Sequence, residues 1–427
     1  MTARETTSSS PAIRSWCRSV GARTPSLGMF LAVLAVFAMA ANPIPAYAIP
    51  GSATPSLSVE QAYDSNVFNN RTGDEQEDYI LRIRPAVSFA FPAVDTAVNL
   101  DLSAETETYY NNPDLNEYPA TWRAVLSPVR PIVFGSRFSM TPKGYFLETY
   151  NSSRRSQLLF SPEAPTIPID ITQTVPTHTR DYGGSVDMIY QAAPKFQAGL
   201  TGAYNRHESL TDNTGLIDYY AYNGDLSLSY LPGPRSSIGI FGSAGETTYS
   251  SDLVSTVYSV GFQGSYNLSE LFRMDGRVGK SFLRNKPGGG MPESTDQSPT
   301  ARFSINYQSR DFSASAWGSY GYSFGSSPGV ASMQGNAGLS FGDQFSKGWW
   351  WSLIGSYQAN RNMADPSVMD SISGNGTAEI RYVPVPWATV RLSCSFFREL
   401  PQNDTGFDMS KTTAFVGITM SETYSMY

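Results

Sequence analysis

Hydrophobic and polar positions alternate with a period of two along most of this chain of 427 residues. Tyr79, Leu81, Ile83, Val87 and Phe89 fall on one side of such a run, and Ile80, Arg82, Arg84, Ala86 and Ser88 on the other. Val98, Leu100, Leu102 and Ala104 oppose Asn99, Asp101, Ser103 and Glu105. Tyr258, Val260, Phe262 and Tyr266 likewise oppose Ser259, Gln263, Ser265 and Asn267. A two-residue period marks a strand with unlike faces. Repeated to the C-terminus, about ten residues at a time, it is the pattern of a transmembrane β-barrel.

The connections fit that pattern. Short turns are expected at Pro92–Asp95, Pro128–Pro131, Ala193–Lys195, Pro232–Arg235, Asn267–Glu270, Ser309–Asp311, Gly342–Gly348 and Val383–Pro386. Longer polar loops alternate with them. Nine loops and eight turns predict an all-β, antiparallel, up-and-down barrel of about 18 strands, with 16 as the alternative. The stretches Ile132–Thr149 and Ala331–Phe341 are the least regular strands. An even strand number leaves both termini on the side of the short, periplasmic turns, with the long loops extracellular.

Aromatic residues strengthen the membrane reading. Phe91, Tyr190, Phe196, Tyr230, Trp349 and Trp387 stand beside short turns, whereas Tyr79, Tyr110, Tyr204, Tyr220, Tyr258 and Tyr320 stand near long loops. Two belts of amphipathic rings suit two membrane–water interfaces. A soluble sandwich would gather its rings mid-strand.

The first 48 residues differ. Arg4, Arg14, Arg18 and Arg23 precede an apolar run from Leu27 to Ala41, followed by Ala46-Tyr47-Ala48. That order is a secretory leader, cleaved after Ala48, with residues 49–427 forming one barrel domain in the outer membrane. Losing four arginines and one glutamate leaves 26 basic and 36 acidic residues, a net charge of −10. Such a balance disfavours a nucleic-acid partner. The expected partners are outer-membrane lipid, the assembly machinery during insertion, and whatever crosses the pore.

A barrel of about 18 strands leaves a water-filled channel unless something plugs it. Its inward faces are expected to carry Arg82, Arg84, Arg123, Arg137, Arg273, Arg277, Arg302, Arg381 and Arg391. The acids expected there are Asp101, Glu105, Glu107, Asp181, Asp187, Asp225, Asp275 and Glu379. These charges either brace the wall or sort solutes. Four inward aromatics, Phe241, Trp317, Trp350 and Phe397, either pack on inward-folded loops or offer ring faces to sugars. The loop from Thr149 to His178 holds Leu158, Leu159, Phe160, Ile167, Ile169 and Ile171, which favour burial in the mouth or over the outer rim.

Other chemistry is sparse. His178 and His207 are the sole histidines, and no neighbour in sequence positions either as a base. No metal-ligand spacing, cofactor motif or nucleophile arrangement occurs, so an enzyme is not expected. Cys394 reads as a small lipid-facing hydrophobe.

One stretch is more specific. Tyr63-Asp64-Ser65-Asn66-Val67-Phe68 lies at the end of the first expected strand and resembles the start of the β-barrel porin 2 family. The terminal strand from Ala414 carries Val416-Gly417-Ile418-Thr419. The resemblance implies an outer-membrane exit for an exopolysaccharide, with a periplasmic partner. A diffusion porin for small hydrophilic solutes is the alternative, and a surface enzyme or adhesin is a third reading. In the residues themselves, Asp64 and Asn66 point into the lumen at the seam and read as strand terminators, with a solute contact as the alternative.

Overall fold

The computed structural model describes residues 51–93, 96–150, 178–211, 218–286, 293–324, 331–362, 371–401 and 408–426. The expected leader and the stretch Leu158–Ile171 lie outside the described residues. The strands are β1 (Gly51–Asp64), β2 (Asp78–Ala93), β3 (Thr96–Tyr109), β4 (Glu117–Pro128), β5 (Ile132–Phe134), β6 (Phe138–Tyr150) and β7 (His178–Ala193). They continue as β8 (Phe196–Ser209), β9 (Tyr219–Gly233), β10 (Ser236–Tyr249), β11 (Val254–Asn267), β12 (Phe272–Lys286), β13 (Ser294–Gln308) and β14 (Phe312–Phe324). The last are β15 (Ala331–Ser346), β16 (Trp349–Asn362), β17 (Ser371–Val385), β18 (Ala388–Pro401), β19 (Met409–Ser421) and β20 (Tyr424–Met426).

Each strand pairs antiparallel with its neighbour, and β1 pairs with both β2 and β19, so the sheet closes on itself. Segment β5 extends β4 along β6, and β20 extends β19 along β1. The twenty segments therefore make eighteen barrel strands. Closure pairs the strand edges, which is what permits a sheet to lie in lipid.

One hairpin is displaced from its expected place. Pro128–Pro131 is not a turn but an irregular break in a descending strand, where Val129 N–H donates to Ala97 O at 2.7 Å. The turn itself follows at 135–137, where Gly135 has a φ of +64°. Proline lacks the N–H a ladder needs, so it is tolerated at such a break. Glycine adopts the left-handed turn conformation without steric penalty. Arg137 consequently lies in this turn and not on the channel wall, correcting its expected inward position.

The apolar face of the alternation is the exposed one. Val260 is 58% exposed, Val278 60% and Phe262 68%. This inversion of a soluble core is what a lipid-facing wall requires. Rings pair near both ends of the wall: Tyr204 with Tyr222 at 5.1 Å by the long loops, and Trp349 with Tyr382 at 4.2 Å by the short turns. The protein is an integral outer-membrane barrel. Cys394, opposite Ala378 and Ala414, is on the exposed face.

Candidate permeation pathway

Directly opposed residues of neighbouring strands share a face, so the register carries one assignment around the ring. It places Arg82, Arg84, Asp101, Glu105, Arg123, Asp187 and Asp225 on the inward face. The same face holds Arg273, Asp275, Arg277, Arg302, Glu379, Arg381 and Arg391. Phe241, Trp317, Trp350 and Phe397 lie there too. Lys143 and Tyr145 of β6 share this side and escaped the sequence reading, because Pro128–Pro131 obscured where β6 begins.

Many of these charges are already partnered. Arg82 Nε lies 2.8 Å from Glu107, and Arg84 pairs with Glu105. Arg273 grips Asp275 through two nitrogens, and Arg391 reaches Glu379 at 2.7 Å. Arg277 on β12 spans two strands to Asp225 on β9 at 2.9 Å, passing over the ring of Phe241 at 5.3 Å. Such pairs brace a curved wall and leave little net field in the water beside it. Arg302 has no carboxylate partner among the described residues. It lines, with Asp225, Gln263, Arg273 and Arg277, an inner recess of about 610 Å³.

The outer mouth is narrower than the wall alone implies. Ala62, Ile80 and Tyr109 are inward-facing yet apolar and buried, and Val67 and Leu115 from the first two outer loops pack on them. Phe68 and Phe415 flank this cluster. The second loop is held by Asp78, which is fully buried. Its carboxylate accepts N–H bonds from Tyr110, Asn111 and Asn112 at 2.9–3.0 Å, and a fourth from the Asn112 side chain. The two loops thus form a small inward-folded rim.

The motif Tyr63–Phe68 is a fastener at the seam of the barrel. Asp64 Oδ1 accepts the N–H of Asn66 at 3.0 Å, ending β1 as expected of an Asp at a turn. Asn66 donates to Asn70 O and to Ser410 O on β19. Lys411 Nζ lies 3.1 Å from Asp64 and 3.0 Å from Asn69, whose φ is +53°. Ser65 exchanges two bonds with Thr412. Asp64 and Asn66 are therefore buried in loop-to-strand contacts, not presented to the channel. Lower on the seam, Glu60 lies across Gly417: a Cβ there would sit 2.5 Å from Glu60 Cγ and 3.1 Å from Val59 O. Gly417→Ala is expected to lower the unfolding midpoint in detergent, costing about 1–3 kcal/mol by overpacking. An unchanged midpoint would mean that Glu60 yields freely.

Outside the strands, the Arg398 hydrogen bond at 2.8 Å holds the Asp408 carboxyl below its ordinary range, against the opposing effect of burial. The Asp408 carbonyl in turn accepts the Thr72 N–H at 2.8 Å, tying the first loop to the approach of β19.

Both histidines have carboxylate partners that sequence neighbours did not reveal. His207 Nδ1 lies 2.7 Å from Asp181 on the facing strand, both buried, with Tyr219 stacked on the imidazole. His178 Nε2 lies 2.8 Å from Glu148 and stacks on Tyr150. Among the described residues no cluster of histidine, cysteine and acids is arranged to hold a metal ion.

A closed wall with lipid outside and a charged, hydroxyl-rich passage inside defines an outer-membrane β-barrel channel. No family model and no curated protein matches the chain. Among solved structures it is similar to Pseudomonas aeruginosa OccK2 (OpdF) in complex with glucuronate. Identity there is 10% over 86% of this chain and 98% of that one, with a TM-score of 0.47. It is also similar to Acinetobacter baumannii OccAB4, at 9% identity over 89% and 100% of the two chains, with a TM-score of 0.47. A third is Pseudomonas aeruginosa OpdK with vanillate, at 10% identity over 87% and 99%, with a TM-score of 0.45. The resemblance to the β-barrel porin 2 family is left on Tyr63–Phe68 alone, and those residues fasten the seam. They carry no information about cargo.

Proposed function

We propose that this barrel is a passive diffusion channel for small hydrophilic solutes, delivered to the outer membrane by a leader cleaved after Ala48. The single observation that carries this reading is the wall. Below the apolar rim it is mainly polar, with cations and acids mostly paired, so water and small solutes find hydrogen bonds without a strong field of either sign. Paired charges favour weak ion selectivity. The inward-folded rim at Val67 and Leu115 sets a size limit on what enters from outside.

Export of a polymer makes different demands: a gate, and a periplasmic supplier of the chain. Planar-bilayer recording separates the two. The diffusion reading expects spontaneous, weakly selective conductance from the purified barrel. Proteoliposomes should swell at rates that fall with solute size. A barrel that stays closed until a periplasmic component is added would overturn the reading in favour of export.

A further inference from the structure

The inner wall is not uniform. From Ser313 on β14 to Asn360 on β16 no described inward position is charged; they are serine, glycine, asparagine and glutamine, with Trp317, Trp350 and Ile354. The charged pairs lie to either side of this arc. Serine and amide side chains already form a lattice across it, with Ser315 to Ser340 at 2.7 Å and Ser356 to Asn375 at 2.6 Å.

Trp317 stands in this arc near mid-height, opposite Ser304 on one side and Gly338 on the other. A Cβ at Gly338 would lie 2.2 Å from Trp317 Cζ2, 2.5 Å from Cε2 and 2.8 Å from Cη2. A point beside the ring edge cannot be that close to three adjacent ring atoms; a point above the ring can. The indole therefore lies flat on the wall over Gly338, and its other face is turned to the passage. Two of the other inward aromatics differ. Phe241 carries Arg277 on its face, and Trp350 carries Arg381 at 5.1 Å. No described cation or ring covers Trp317, and no described acceptor takes its indole N–H.

We propose that Trp317 is a sugar-binding platform within the channel, taking the apolar C–H face of a pyranose ring. This rests on the diffusion-channel reading above and names a solute class for it. The flat aromatic surface removes C–H groups from water, while the neighbouring hydroxyls and amides of Ser319, Asn336 and Ser340 exchange hydrogen bonds with the ring hydroxyls. An uncharged arc costs a neutral sugar no competition with fixed ions. Gly338 is the residue that permits the geometry, because any side chain there would lift the indole off the wall.

The test uses the full barrel in a planar bilayer, with maltose as probe and sorbitol, which has no pyranose face, as control. Maltose should block potassium chloride current saturably, and sorbitol at equal concentration should not. Trp317→Ala should weaken the block about three- to tenfold, the size of an aromatic contact, and Trp317→Phe should retain most of it. Gly338→Ala keeps the indole but tilts it, and should weaken the block as well. Equal effects of maltose and sorbitol, or unchanged block in Trp317→Ala, would overturn the platform. A barrel that conducts no ions sinks the diffusion reading instead. The platform is then judged by calorimetric titration of maltose into the detergent-solubilised barrel. Heat lost in Trp317→Ala supports it, and no difference from wild type overturns it.

Discussion

Lys411→Met is expected to destabilise the barrel by about 3–5 kcal/mol, the cost of leaving a buried charge without its partner. Lys411 Nζ sits 3.1 Å from Asp64, with side-chain exposures of only 7% and 2%. Asp64 cannot turn to water, since its other oxygen already holds the Asn66 N–H. The same lysine also bonds Asn69, so its loss frees the left-handed turn of the first outer loop. Chemical unfolding in detergent, followed by tryptophan emission, measures the change. Adding Asp64→Asn should recover part of the loss, because the stranded charge is removed. A single mutant within about 1 kcal/mol of wild type would place the pair with exposed ion pairs, which contribute little.

Asp78→Ala is expected to release the second outer loop and widen the mouth. Three backbone N–H groups and one amide converge on this carboxylate; alanine leaves the Tyr110 N–H its bond to Tyr79 O at 3.1 Å but takes the Asp78 acceptor from the other three. Each buried unsatisfied donor costs about 1–3 kcal/mol. The loop therefore gains by detaching into water, which withdraws Leu115 from its contacts with Ile80 and Tyr109. Two readouts should move together: faster proteolysis within residues 110–116 and a higher single-channel conductance. Asp78→Asn should rescue only in part, because its oxygen still accepts while its NH2 donates where the second acceptor is needed. Unaltered conductance with a cleaved loop would show that the narrowest point lies elsewhere.

The strands were legible because lipid and water contrast as strongly as core and water do. Val260, Phe262 and Val278 could occupy only one side of their strands, and the period of two records this directly. The hairpin at Gly135 was hidden for a local reason: two prolines upstream gave a stronger turn signal than one glycine. The rim was hidden for a nonlocal one. Leu115 and the pair Val67-Phe68 are short apolar interruptions in polar loops, and only the fold brings them to Ile80. A hint was available in Ala62, Ile80 and Tyr109, which break the polar rule of the inward face at neighbouring positions. The histidine partners were equally nonlocal, since Asp181 meets His207 only when β7 and β8 pair. For the channel wall, sequence gave the list of charges but not their pairing. Arg277 reaches Asp225 across two intervening strands, a contact that no alternation pattern encodes.

The seam also bears on the order of events in folding. Its two halves are separated by 342 positions between Asn69 and Lys411, so the fastener closes only when both ends of the chain are in place. Contacts of such long separation are slow to form. Yet Gly51 and Met426 are already paired in the finished sheet. A circular permutant that joins them and opens the turn between β9 and β10 would make the fastener a contact between neighbouring hairpin strands. The topology thus contains a second chain order in which the slowest junction becomes local, and the seam moves to β9 and β10, where Tyr219 and Tyr249 meet at 5.8 Å.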